Sequence, residues 1–272
     1  MGRFSKSKSF ALWTLAVIIT LSSVVYQRIT GPTRPVRGKV EIRGEIVKYK
    51  LLRTHDISAD AVMTILVPDT SVSAVFQWKR FKSYDQWTID TLRVSDNKIT
   101  IIVPKQPPAG KVIYDVTLFD GNGGIYPLSE EAITIRFKGV VPLIVLLPHV
   151  LFMFIAMLIG TRTGIEAIAK GEKAYRYALI TTVLLFLGGL IFGPLVQKFA
   201  FDAYWTGWPF GHDLTDNKTL ISFIFWLIAL WQGKKPGRGR TWFIIASVVQ
   251  LLIYLVPHSV LGSEIDYTAM NQ

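Results

Sequence analysis

The stretch FAFDAYWTGWPFGHDLTDNKT, residues 199–219, joins two apolar segments that are each long enough to lie in a lipid bilayer. It concentrates aromatic residues, one histidine and several carboxylates in a loop that is too short to fold by itself. Polar groups at a membrane edge need partners, because an unpaired polar group in an apolar environment costs roughly 2–7 kcal/mol. The flanking helices are the available partners. The stretch therefore predicts a membrane module whose loop is fastened to its own helices.

Apolar residues are gathered into five runs and are not spread evenly along the 272 residues. The runs cover residues 9–27, 140–160, 177–197, 219–231 and 241–257. A hydrocarbon core of about 30 Å needs about 20 apolar residues in a helix. Five membrane spans are therefore predicted. The long segment between the first two runs is expected to be an extramembrane domain.

The predicted fold is an α+β membrane protein in three parts. Residues 1–27 begin with a basic MGRFSKSK and end in SSVVYQR, a poor cleavage site, so an uncleaved signal-anchor transmembrane helix is expected. Residues 28–138 contain short alternating runs separated by turn signals such as DGNGG at 120–124, which predicts an extracytoplasmic antiparallel β-sandwich. Residues 139–272 are predicted to form a four-helix transmembrane bundle with an outward loop at 199–218.

The predicted sandwich resembles an immunoglobulin or fibronectin type III module in its general outline. About seven short strands with polar turns, and no helical period, carry that resemblance. The Cys-Trp-Cys signature of true immunoglobulin domains is absent, because the chain contains no cysteine. The same absence excludes disulfides, thiol catalysis, iron–sulfur clusters and cysteine-based zinc sites.

The net charge of +11 is concentrated in the short connections between apolar runs. These connections hold Arg3, Lys6 and Lys8, then Arg162, Lys170, Lys173 and Arg176, and finally Lys234, Lys235, Arg238 and Arg240. Cytoplasmic loops carry such an excess of basic residues. The pattern predicts a bacterial inner-membrane protein with five spans, a cytoplasmic amino terminus and a periplasmic carboxyl terminus. Because topology explains the charge and no nucleic-acid motif accompanies it, nucleic acid is not expected as a partner.

Three of the four histidines are predicted on the outer half of the membrane module. Two of them follow a proline, which removes a helical hydrogen bond and leaves a carbonyl available for an imidazole. Asp213 is predicted to cap the fourth span, with Asp216 in its first turn. The resulting candidate polar pocket contains His149, His212, Asp213, Asp216 and His258, roofed by Trp205 and Trp208.

Three interpretations of this pocket stay open at the level of sequence. The polar side chains could fasten the loop to the helices, while the aromatic residues form an interfacial belt. They could handle a proton or a substrate, since ionisable groups inside membranes mark functional sites. They could also hold a transition metal or haem through His149, His212 and His258, although no pair of ligands has a diagnostic spacing.

The sequence contains no recognised catalytic signature. A nucleophile elbow, a zinc-protease helix, a phosphate loop and a dinucleotide fingerprint are all missing, so whether the protein is an enzyme is left undecided. The expected role is an accessory or scaffolding subunit of an inner-membrane envelope or respiratory complex. Its periplasmic sandwich would dock membrane or periplasmic proteins, and its helices would contact membrane lipids. The alternative is a membrane-embedded enzyme or redox protein that uses the outward His/Asp cluster.

Overall fold

The computed structural model describes residues 4–67, 69–257 and 262–269. The chain divides into two compact units. The helical unit comprises residues 1–32, 141–199 and 203–262, and the β unit comprises residues 33–140, 200–202 and 263–272. Sheets and long apolar helices are both present, which confirms the mixed α+β class.

The helices begin with α1 (Lys6–Thr30) and α2 (Leu143–Ile168). They continue with α3 (Ala174–Leu185), a π-helical segment (Phe186–Phe192) and α4 (Gly193–Phe201), then α5 (Leu214–Gly233) and α6 (Gly239–Leu255). In the described part of the chain, three helical stretches are long and apolar enough to cross a membrane: Lys6–Thr30, Leu143–Ile168 and the continuous Ala174–Phe201. Helix α6 is apolar but shorter.

Helices α2 and α6 approach closely through two glycines one turn apart. A Cβ atom on Gly160 would lie 2.1 Å from Gln250 Oε1, and one on Gly164 would lie 2.3 Å from Ser247 Oγ. Neither position has room for a larger side chain. Small residues let membrane helices approach in this way, and polar side chains then bridge them.

The described residues of the β unit form ten strands. They are β1 (Val36–Ile42), β2 (Glu45–Leu51), β3 (Thr54–Asp56), β4 (Ala61–Leu66), β5 (Ser73–Arg80), β6 (Thr88–Arg93), β7 (Lys98–Val103), β8 (Lys111–Phe119), β9 (Ile125–Pro127) and β10 (Ile133–Lys138). Strands β1 and β2 pair with each other, as do β4 and β7. The third sheet has the order β3-β10-β8-β5-β6, with β9 also paired to β8, and its β3–β10 pair is parallel.

The strands form because apolar and polar residues alternate along them, which sends successive side chains to opposite faces. In β8, for example, Val112, Tyr114, Val116 and Leu118 are all fully buried. Side chains from the three sheets join one hydrophobic cluster. The phenol of Tyr114 is buried in that cluster and donates to the carbonyl of Leu52 at 2.8 Å, so its polar end is satisfied.

The tail at residues 263–269 belongs to the β unit. Tyr267 is only 9% exposed, its N–H donates to the carbonyl of Lys82 at 3.0 Å, and the Arg80 guanidinium lies 4.5 Å from its ring centroid. Glu264 pairs with Lys111 at 2.5 Å and also with Lys82. Burial alone raises the pKa of the Glu264 carboxyl, but the hydrogen bonds from the two lysines outweigh burial and hold the pKa below its ordinary value.

Candidate functional site

The loop before α5 is folded around the carboxylate of Asp216. Its Oδ2 accepts from the backbone N–H of Thr206 at 2.7 Å and of Gly207 at 3.0 Å. Gln197, on α4, donates to the Thr206 hydroxyl at 2.6 Å. Asp216 lies in the first turn of α5, where a negative charge also favours the helix dipole. Two helices thus hold one short stretch of the loop.

Asp213 and Asn217 complete this arrangement. The Asp213 side chain accepts from the Thr215 N–H at 2.8 Å, so Asp213 is the N-cap of α5 and that prediction is confirmed. Asn217 Oδ1 accepts from the Trp208 N–H at 2.6 Å. A Cβ atom on Gly207 would lie 2.6 Å from the Asp216 Cβ, so the loop approaches the helix more closely than any other residue permits. These contacts fit the interpretation that the carboxylates fasten the loop.

Lys218 is a buried cation that the sequence reasoning missed. It is 6% exposed, and its Nζ donates to the carbonyl of Val256 at 2.9 Å and to that of Pro257 at 3.5 Å. These carbonyls follow the last residue of α6, where a positive charge complements the helix dipole. A cavity of about 20 Å³, room for about one water, lies beside Lys218 and Ser222. Lys218 therefore joins the start of α5 to the end of α6.

His149 lies on α2 and contacts the π-helical segment. Its Nδ1 is 2.8 Å from the carbonyl oxygen of Gly188, and the side chain is half-buried. The imidazole is thus paired with a backbone carbonyl of a neighbouring helix. It is not paired with the carboxylates of the loop.

The remaining predicted pocket residues lie at the surface or outside the described part of the chain. His212 is exposed, and Trp208 is exposed over 69% of its surface, so its ring covers no enclosed pocket. Trp205 is half-buried and donates from Nε1 to the Trp208 carbonyl at 3.1 Å. His258 lies outside the described residues.

Two of the three histidines of the predicted metal centre, His149 and His212, lie in the described part of the chain. Within residues 4–67, 69–257 and 262–269, no three histidine, aspartate or glutamate side chains are grouped so that they could hold a metal ion. The three-histidine site, with its haem or transition metal, includes His258 and so stays a prediction. His149 is paired with the carbonyl of Gly188, whereas His212 is exposed.

A second polar centre lies near the carboxyl end of α2. The sequence assigned Arg162 to a basic connection, but α2 continues to Ile168 and buries Arg162 to 1% exposure. Its Nη2 is 2.5 Å from Oε2 of Glu166, one helical turn later. The guanidinium also faces the rings of Trp13 and Tyr177 at 5.5 and 5.3 Å. Glu166 at i+4 was the sequence signal that could have revealed the pair.

Side-chain amides connect the helices between these two centres. Gln250 of α6 accepts from Trp226 Nε1 at 2.8 Å and donates to the Ala156 carbonyl at 3.1 Å. Gln27 of α1 donates to the carbonyl of Tyr254 at 2.9 Å. Interhelical hydrogen bonds of this kind fix which helix faces meet in an apolar environment.

The outer face of the β4–β7 pair carries three exposed apolar side chains beside Thr64, Thr100 and Lys98. Val62 lies directly opposite Ile102, and they are 54% and 50% exposed, while Leu66 on the same face is 70% exposed. The opposite face carries Ala61, Met63 and Ile65, which are buried. Antiparallel sheets with one solvated face usually place polar residues there. The runs AVMTILV and ITIIV, which are apolar apart from one threonine each, are the sequence signal for this two-sided pattern.

No protein-family model, curated protein or solved structure matches the chain. Its function is therefore argued from the geometry of its sites.

Proposed function

We propose that the protein is an accessory or scaffolding subunit of a bacterial inner-membrane complex, of the envelope or respiratory type. Its β unit, as an extracytoplasmic antiparallel sandwich, docks partner proteins. The observation that carries this proposal is the exposed apolar face of β4 and β7, formed by Val62, Leu66 and Ile102. Exposed apolar side chains grouped on one face are typical of a site of protein interaction.

The polar centres of the helical unit agree with a structural role for that unit. Asp213 and Asp216 accept backbone N–H groups of the loop and of α5, and Lys218 is bonded to carbonyls that follow α6. These side chains are engaged in holding helices and loop together. The alternative role, an enzyme or redox protein built on the His/Asp cluster, draws no support from them. Metal analysis and an absorption spectrum of the purified protein test that alternative directly.

The proposed topology has five spans, with the β unit and the carboxyl-terminal tail in the periplasm. It is supported by the composition of the β unit, which includes residues 200–202 at the end of α4 and residues 263–269 after α6. Chain segments that join one compact unit lie on one side of a membrane, so an even number of crossings separates them. Reporter fusions at Lys170 and Lys235 should read cytoplasmic, and a fusion at Asn122 should read periplasmic. A cytoplasmic Asn122 would contradict the topology.

The docking surface is tested by placing a charge on it. Val62→Lys or Ile102→Lys should abolish photo-crosslinks formed in intact cells from a probe at Thr64, because a charge at the centre of an apolar interface must be desolvated. The matched control is Ile89→Lys, since Ile89 is a 62% exposed isoleucine on β6. All three variants should unfold at the wild-type temperature. Equal crosslinking in the three variants, or none in the wild type, would remove the basis for a docking function.

A further inference from the structure

A cavity lies where α1 begins and α2 ends, entirely within the helical unit. Its volume is about 440 Å³, and Phe4, Lys6, Ser9, Arg162, Glu166 and Lys173 are among its lining residues. That volume falls within the range of roughly 300–1,000 Å³ typical of small-molecule sites. The cavity is separate from the loop around Asp216 and from the β4–β7 face.

Arg162 brings unused hydrogen-bond donors to this cavity. The side chain is 1% exposed, and its Nη2 is paired with Glu166. Among the described residues, neither its Nε nor its Nη1 has a hydrogen-bond partner. Leaving a buried donor unsatisfied costs about 1–3 kcal/mol, and more for a charged group. A buried guanidinium with two free donors is therefore incomplete without a ligand.

The charges around the cavity leave a net positive charge, with Lys6, Arg162 and Lys173 against the carboxylates of Glu166 and Glu172. Lys6 and Lys173 are exposed residues of its lining and add two positive charges to that of Arg162. The carboxylate of Glu166 is already engaged by Arg162 and by the backbone N–H of Lys173 at 3.2 Å. The half-buried Ser9 adds a hydroxyl to the wall. The lining therefore offers hydrogen-bond donors to the cavity from a guanidinium, two lysines and a serine hydroxyl.

We propose that this cavity binds a phosphate group. The planar fork of a guanidinium matches two phosphate oxygens, and lysines add positive charge around a phosphate. Two sources share this chemistry: the headgroup of an anionic phospholipid, and inorganic phosphate or a small phosphate ester from solution. Basic pockets between membrane helices are known to take lipid headgroups. The proposal does not depend on the docking function of the β unit.

The test uses the full chain purified in an uncharged detergent without phosphate. One arm titrates inorganic phosphate by calorimetry in that detergent. The other arm places the protein in phosphatidylcholine nanodiscs, with and without phosphatidylglycerol, and counts retained phosphatidylglycerol by native mass spectrometry. Lys6→Gln and Lys173→Gln should each weaken binding about fivefold, since a lysine near an anionic surface contributes about 1 kcal/mol. The matched control is Arg176→Gln, which removes an exposed charge from the same basic segment without altering the cavity lining.

Each outcome decides the proposal. Calorimetric binding of inorganic phosphate that both lysine variants weaken assigns a soluble phosphate ligand. Retention of phosphatidylglycerol without any response to inorganic phosphate assigns a lipid headgroup. Absence of both kinds of binding overturns the proposal. It is equally overturned if Arg176→Gln weakens binding as much as Lys173→Gln, because the effect would then be one of general charge.

Discussion

Replacing Gly164 by alanine should destabilise the helical unit through a single methyl group. The added Cβ would lie 2.3 Å from Ser247 Oγ and 2.6 Å from Ser247 Cβ. Both distances are well inside van der Waals contact, and one of the atoms is fixed to the backbone of α6. The two helices must therefore move apart, since no rotation of the serine side chain removes its Cβ.

The expected size of the effect has two parts. Overpacking a tight contact costs about 1–3 kcal/mol. Separation of α2 from α6 also lengthens the bond that Gln250 donates to the Ala156 carbonyl, and such a bond contributes about 0.6 kcal/mol in a membrane protein. The free energy of unfolding should therefore fall by about 2–4 kcal/mol. That corresponds to a roughly 30- to 1,000-fold change in the ratio of folded to unfolded protein.

A compensating substitution makes the test specific. Ser247→Gly removes both atoms that the new methyl group would overlap, and by itself should cost about 1 kcal/mol of helix stability. The double variant Gly164→Ala/Ser247→Gly should lie within about 1 kcal/mol of the wild type, giving a coupling energy of about 2–4 kcal/mol. Unfolding is followed in detergent by circular dichroism of the helices. Leu151→Ala, an exposed position of the same helix, is the control and should change stability by less than about 0.5 kcal/mol.

Two results would refute this reasoning. Wild-type stability in Gly164→Ala would mean that α2 and α6 tolerate a wider separation than the contact implies. Additive effects of the two substitutions would mean that Gly164 acts on stability without touching Ser247.

Three further predictions follow from other contacts. Lys218→Met should lower the free energy of unfolding by about 1–3 kcal/mol in detergent, because the carbonyl of Val256 loses its donor; an unchanged value would exclude the link between α5 and α6. Gly207→Ala should expose the loop to limited proteolysis while leaving helix content intact, since the new Cβ collides with Asp216; a resistant loop would contradict the observed packing. The tail should lose protection from proteolysis as pH falls below the ordinary glutamate range of about 4.3, because the lowered pKa of Glu264 stabilises docking only above that range. Glu264→Gln should make protection weaker and nearly independent of pH, and an unaltered pH profile in that variant would assign the effect to other groups.

Seven of the ten described strands were predicted from the sequence, whereas β2, β3 and β9 were not. Strand β2 reads EIVKYKL, and its charged residues gave no strand prediction. The turn that creates it lies at Arg43 and Gly44, which both have positive φ and let β1 fold directly back. Pairing with β1 buries Val47 and Leu51, and their alternation with Lys48 and Lys50 is the sequence signal that could have revealed this strand.

The buried cations of the helical unit were harder to foresee. The positive-inside rule considers only the number of lysines and arginines in each connection between spans. It explains these residues by membrane topology and takes no account of the helices that pack around them. Arg162 and Lys218 are buried because Glu166 in one case, and the carbonyls after α6 in the other, supply their partners. The π-helical segment was equally hidden, because hydropathy is the same for α- and π-helical turns. By contrast, the cap at Asp213 depends on local sequence alone and could be predicted.

The tail that carries Glu264 and Tyr267 bears on the order of biogenesis. The ribosome makes residues 263–269 after every strand and every described helix, so the β unit stays incomplete until the membrane segments have been synthesised. Before that moment Lys111 and the face of Arg80 lack the partners that they have in the finished protein. Closure of the β unit by residues 263–269 thus couples completion of that unit to the synthesis of the helices that precede them.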